Sequence, residues 1–184
     1  MLYISFSYLP IIFDEKIFEQ LSDSWSNHMV NNNIRRLELD DLTRVVDLEK
    51  KCFNETNAYS AKQLKYLIKD ANSDCFAEIH DDLIRGFIIV LYRKRSKVAG
   101  IETLNVDPLY QGQGIGKKLL IAAEEEMNYN AIRKIRLEVS TGNLPAIKLY
   151  EKSGFRKHSI LQNYYKNKYF GSYNAFKMIK ELTN

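Results

Sequence analysis

The segment that most restricts how this chain can fold is "NVDPLYQGQGIGKKLL", residues 105–120. A strand-like run ends at Val106, and Asp107-Pro108 breaks it. Three of the chain's eight glycines then follow, Gly112, Gly114 and Gly116. Beyond them Leu119, Leu120, Ala123 and Met127 recur at helical spacing. A strand, a glycine turn and a helix start together make an anion site. The first helical turn leaves N–H groups without partners, and the macrodipole adds partial positive charge there. Glycines let a phosphate oxygen reach those groups with no Cβ in the way. Lys117 and Lys118 add charge at the rim. The spacing is not that of a P-loop. Nor is it G-x-G-x-x-G after a first strand, as a dinucleotide fold requires. Taken alone, the glycines leave a ligand-free tight turn as the alternative.

The surrounding pattern is mixed α/β. "IRRLEL" from Ile34 reads as a short strand, followed by a helix "LTRVVDLEKKCF" capped by Asp40 or Asp41. Ser60 caps a second helix with Leu64, Leu67 and Ile68 on one side. "DCFAEIHDD" and "LIRGFIIVLYRKR" read as adjacent strands joined by a tight Asp-containing turn, and "KVAGIETLNV" as another strand. After the glycine loop and its helix, "KIRLEVS" places Ile135, Leu137 and Val139 on one face and Glu138 on the other. "NLPAIKLYEKSG" is a helix ended by Gly154. "FRKHSILQNYY" and "NAFKMIKEL" are final strands. The order β-α-α-β-β-β-α-β-α-β-β defines a mixed α/β domain.

Residues 1–33 read differently. Phe13, Ile17, Leu21 and Trp25 lie four apart, with Phe18 beside them, as one amphipathic helix stripe. "NHMVNNN" reads as a linker. An extra N-terminal helix packed on the domain competes with a true start near Met29, and the helix is the favoured account. The division expected is therefore 1–33 as an extension and 34–184 as the domain. The apolar start lacks a basic segment and runs into Asp14-Glu15, which argues against a signal peptide and a membrane span. The net charge of +4 is compatible with capture of an anionic small molecule and gives little support to nucleic-acid binding. Cys52 and Cys75 form no C-x-x-C pair, and no histidine stands at metal spacing from either. Two reduced thiols in a cytoplasmic protein, and no metal, are expected.

Gln111-Gly112-Gln113-Gly114-Ile115-Gly116 matches the [RQ]-x-x-G-x-[GA] loop of the GNAT acetyltransferase superfamily, and "VDP" is a common lead-in to it. "LEVSTGNLPAIKLYEKSGF" (137–155) resembles the superfamily's L-E-V-x-x-x-N-x-x-A-x-x-L-Y-x-x-x-G-F segment. With "QNYY" (162–165), the chain is most similar to RimI-like protein N-terminal acetyltransferases over about residues 34–180. It departs from that branch at Ser140, where Arg is frequent, at Thr141-Gly142, and in the long basic loop "KNKYFGSYNAF". These departures fall on the acceptor side.

The resemblance implies a central, mostly antiparallel, twisted sheet of about seven strands, splayed in the middle and flanked by about four helices. It implies acetyl-CoA as donor. Pantetheine would lie along Leu104, Asn105 and Val106, and the pyrophosphate on Gln111, Gly112, Gln113, Gly114, Ile115, Gly116 and Lys117, with Asn143 on the pantetheine arm. Glu138 matches the general base and Tyr150 the general acid. Phe53, Tyr59, Tyr164 and Tyr165 would wall the acceptor slot. The acceptor implied is a protein or peptide N-terminal amine, with no nucleic acid or membrane partner, in a monomer or homodimer. Transfer to a polyamine or aminoglycoside is the alternative chemistry, to which Glu55, Asp81 and Asp82 would contribute. A non-catalytic acyl-CoA-binding module is the alternative class, and retention of both Glu138 and Tyr150 argues against it.

Overall fold

Phe87, Ile88, Ile89 and Val90 are apolar in unbroken succession, the pattern of a strand covered on both faces. All four are fully buried in the computed structural model, which describes residues 33–53, 57–93 and 95–182. They lie in β3 (Leu83–Tyr92), the third strand of a seven-stranded sheet. The other elements, in chain order, are β1 (Ile34–Arg36), α1 (Leu42–Cys52), α2 (Ala61–Lys69), β2 (Ser73–His80), β4 (Val98–Val106), α3 (Ile115–Tyr129), β5 (Lys134–Ser140), α4 (Leu144–Lys152), β6 (Arg156–Leu161) and β7 (Ala175–Glu181). This is the order that the periodicity predicts. The N-terminal helix stripe lies outside the described residues.

The sheet runs β1-β2-β3-β4-β5-β7-β6. Neighbours are antiparallel except β4 and β5, which are parallel. One apolar cluster, with Leu119, Met127, Leu137 and Ile147, packs α3 and α4 on one face. A second, with Val45, Leu48, Leu64 and Leu67, packs α1 and α2 on the other. β4 changes faces partway. Ala99 and Ile101 belong to the first cluster, as do Leu104 and Val106, so the inward parity shifts by one residue between them. The cause is a bulge against β3, where Ile89 faces Thr103 and Val90 faces Ile101, leaving Glu102 as the extra residue.

Local expectations differ at two places. Asp41 does not cap α1 through its side chain; a 3-10 turn over Leu39–Asp41 precedes the helix. The Asp41 carboxylate instead accepts from both guanidinium nitrogens of Arg35, from Arg44 and from the Glu38 N–H. Those bonds hold it down at about 2. "QNYY" is not strand: β6 ends at Leu161, and residues 162–174 form a loop before β7. Ser60 does cap α2, accepting from Gln63 N–H, and Asp81 and Asp82 make the β2–β3 turn with positive φ.

Candidate active site

The site begins where the sheet comes apart. β4 and β5 pair through only three rungs, Val98 with Lys134, Ala99 with Ile135 and Gly100 with Arg136. Beyond that last rung the strands share no further rung. The Asp107 N–H donates to Arg85 O at 2.8 Å, towards β3. Alternation along an antiparallel strand then turns the N–H groups of Leu104 and Val106 away from β3, into the gap. Asn105 faces the other way. It pairs with Phe87 in the β3 ladder, and its side-chain amide donates to Glu49. Of the three β4 residues expected to face pantetheine, Leu104 and Val106 turn their N–H groups into the gap, and Asn105 is bonded to β3 and Glu49.

The gap opens onto the glycine turn. Asp107 starts a 3-10 turn by accepting from Leu109 N–H and forms an ion pair with Lys51 at 2.8 Å, tying α1 to the end of β4. Burial pushes its carboxyl up, but the Lys51 pair and the Leu109 N–H outweigh that and leave it below the usual range. Gln111 returns its amide to Val106 O at 3.2 Å. Gly112 and Gly114 have φ of +80° and +79°, and a Cβ at either would meet nothing within 4 Å. Gly114 precedes α3 with no side-chain cap, so the first N–H groups, at Ile115, Gly116 and Lys117, face an open cradle. Ile115's side chain is buried in the core, whereas Gln113 and Lys117 are exposed at the rim. Gly116 has a different task. A Cβ there would lie 3.1 Å from Leu149 Cδ2, so this glycine lets α3 approach α4. The cradle therefore fits a phosphate group, with two glycines for conformation and one for packing.

Glu138 stands two residues beyond the last rung, on the β5 face opposite Leu137 and Val139. Its carboxylate is 3.5 Å from Arg136 Nη1. Tyr150 of α4 is buried edge-on to Phe155, with ring centroids 5.6 Å apart. Burial raises its phenol, and the neighbouring Tyr165 adds to the effect, so it keeps its proton at physiological pH. Asn143 caps α4, with Oδ1 accepting from Ala146 N–H at 3.2 Å; its amide nitrogen is the group left to donate.

The acceptor-side aromatics converge. Tyr164 packs edge-on to Tyr165 at 5.0 Å, and Tyr165 lies 5.3 Å from Tyr169. Tyr169 in turn stacks on Phe53 at 5.5 Å, linking the end of α1 to the β6–β7 loop. Tyr59 reaches the site differently, donating its hydroxyl to Glu102 on the β4 bulge. The Tyr164 phenol is raised by burial first and then by the Glu138 and Glu102 carboxylates.

Three participants have no place in the sequence expectations. Glu49 is fully buried on α1, accepting from Tyr59 N–H at 2.9 Å and from the Asn105 amide. Burial raises its carboxyl, and these two bonds oppose the rise. Its place on the apolar stripe after Val45 and Leu48 is the one signal for it. Glu102 needs its partner Tyr59, and Tyr169 needs the loop. That loop is held by the departures themselves. Ser140 Oγ donates to Tyr169 O at 2.5 Å, Thr141 Oγ1 to Ser172 Oγ at 2.7 Å, and a Cβ on Gly142 would come within 1.8 Å of Phe170 O. Residues that leave the family pattern on β5 thus seat the loop that also leaves it.

The remaining nucleophiles are quiet. Cys52 Sγ donates to Val106 O at 3.5 Å, and burial pushes its thiol up to about 12. Cys75 is buried and raised to about 11. Among the described residues no His, Cys, Asp and Glu gather as a metal site, and no helix is long and apolar enough to cross a membrane.

Residues 34–155 match the acetyltransferase (GNAT) family. The [ribosomal protein bS18]-alanine N-acetyltransferase of Escherichia coli strain K12 is 40% identical over 67 residues, 36% of this chain and 45% of that protein. The N-alpha-acetyltransferase RimI of Mycobacterium tuberculosis is 38% identical over 66 residues, 36% of this chain and 40% of that protein. These alignments span less than half of either relative. The solved ribosomal-protein-S18-alanine N-acetyltransferase from Escherichia coli superposes with a TM-score of 0.74 at 27% identity, covering 83% of this chain and 95% of that one. Ard1 from Thermoplasma volcanium superposes at 0.70 with 25% identity, over 82% and 97%. The splayed sheet, the glycine cradle and these matches agree: the chain belongs to the acetyltransferase (GNAT) family.

Proposed function

We propose that this enzyme acetylates the N-terminal α-amine of a protein or peptide, by direct attack within a ternary complex. The observation that carries the reading is Glu138 on β5, two residues past the last β4–β5 rung and so beside the gap. The relatives named above for N-terminal alanine acetylation support it.

The donor fits what the residues offer. The N–H groups of residues 112–117 would hold its pyrophosphate, and those of Leu104 and Val106 its pantetheine arm, with Asn143 donating a further bond. Bound there, acetyl-CoA supplies an activated acyl group. A backbone N–H of β4 polarises a carbonyl placed in the gap, as an oxyanion hole does. An α-amine of pKa about 8 is neutral in roughly a tenth of molecules at pH 7, whereas a lysine near 10.4 is neutral in well under one part in a thousand. The α-amine therefore asks less of a base. Glu138 accepts that proton through a water. Tyr150, protonated by virtue of its burial, donates from Oη to the departing thiolate. Cys52 holds its proton at neutral pH and forms no acyl intermediate.

The test is incubation with labelled acetyl-CoA and three acceptor sets: peptides beginning Ser, Ala or Met, the same peptides with blocked N-termini, and spermidine. Label on free N-termini alone is the expected result. Label on spermidine alone would sink the reading.

A further inference from the structure

A groove of about 570 Å³ runs along the sheet between β3, β4 and β5 and the C-terminal end of α2. Its size is that of a ligand site. Glu102 and Arg136 line it, and both belong to the acceptor side: Glu102 holds the Tyr59 hydroxyl, and Arg136 lies 3.5 Å from Glu138. Through these two residues the groove borders the place where the amine would be deprotonated. From Glu102 it passes back along β4 to Val98, four residues and so about 13 Å at ~3.3 Å per residue, room for about four residues of extended chain. Gly100 forms part of its floor, and the Arg136 guanidinium lies across it, with Nε 3.7 Å from where a Cβ would stand. Its far end is marked by Arg93, with Tyr66 and Asp70 on the helical wall.

We infer that this groove receives the polypeptide that follows the acceptor's reacting amine, and that it favours acidic over basic side chains there. The inference rests on the α-amine reading and names the substrate class more narrowly. Two guanidiniums, Arg93 and Arg136, flank a slot that also holds an exposed tyrosine. Arginine and tyrosine are the side chains that anchor peptides best. Of the two carboxylates that line it, Glu102 already accepts from the Tyr59 hydroxyl and Asp70 stands on the helical wall. A polyamine would have to pass both guanidiniums, whereas a peptide carboxylate gains from them. Binding along a remote groove accelerates reaction at the amine only for acceptors long enough to reach it.

The experiment compares kcat/KM for alanine-initiated peptides of two, four and six residues, with Asp or Lys at the third and fourth positions. Wild-type enzyme is expected to gain on the order of tenfold from two to four residues and little beyond, the worth of about one good polar contact. Acidic peptides should exceed basic ones by ~2- to 5-fold, the worth of an exposed ion pair. Arg93→Glu should invert that charge preference, and Tyr66→Ala should shrink the length advantage. Unaltered affinity for coenzyme A in both variants shows that they are folded. A flat length series, or a charge preference that Arg93→Glu leaves in place, overturns the groove assignment while α-amine acetylation stands. Label on spermidine with none on any peptide overturns both.

Discussion

Replacing Gly114 by alanine separates two effects that the glycine loop combines. In the free protein the cost is conformational. Gly114 sits at φ +79°, and a Cβ built there meets nothing within 4 Å, so no clash contributes. A left-handed alanine costs about 1–2 kcal/mol. In a chain of this size that lowers Tm by roughly 2–4 °C for each kcal/mol. In the complex the same Cβ stands in the cradle that the first N–H groups of α3 face. Displacing the phosphate from one of these donors removes a charged hydrogen bond, about 1.5–3 kcal/mol. The affinity for coenzyme A should therefore fall by roughly 10- to 150-fold. Asparagine tolerates positive φ, so Gly114→Asn should recover most of the lost Tm and none of the lost affinity. Calorimetric titration with coenzyme A, beside thermal unfolding of each variant, reads the two effects independently. Coenzyme A binding within twofold of wild type in both variants would refute the assignment of this turn to the diphosphate.

Glu138→Gln keeps shape and removes the base, so kcat should drop by about 10²–10⁴-fold with coenzyme A affinity unchanged, as measured by steady-state kinetics and calorimetry. Gly142→Ala drives a Cβ to 1.8 Å from Phe170 O, so the 169–172 segment must move; KM for the acceptor should rise about tenfold or more while donor binding holds, read from the same assays. Asp41 has a folded pKa of about 2 against an ordinary 3.8, held down first by Arg35. The unfolded chain takes up that proton first as pH falls, so the stabilisation is complete above about pH 4 and is lost as pH falls towards 2. Asp41→Asn should remove that segment of the acid limb in denaturant titrations run between pH 2 and 5.

What could be read from the chain alone was whatever nearest neighbours in sequence decide. Positions 112–116 announced a turn followed by a helix start, because positive φ and bare N–H groups are local requirements. Alternation in "KIRLEVS" put Glu138 opposite Leu137 and Val139, and the helical spacing from Leu119 to Met127 marked a buried face. The motif match then implied acetyl-CoA without any coordinates. Other features waited for tertiary structure. The gap exists because β4 stops pairing with β5 after Gly100 meets Arg136, strands whose partners lie 36 residues apart in the chain. Glu102 meets the Tyr59 hydroxyl only because the chain between α1 and α2 folds onto β4. Asn105 looked like a cofactor ligand by position, yet the ladder and buried Glu49 hold both its backbone and its amide. Ser140, Thr141 and Gly142 read as losses from a family pattern until the loop carrying Tyr169 was seen to rest on them. Each of these depends on register between distant segments, which packing of both sheet faces selects and no local preference encodes.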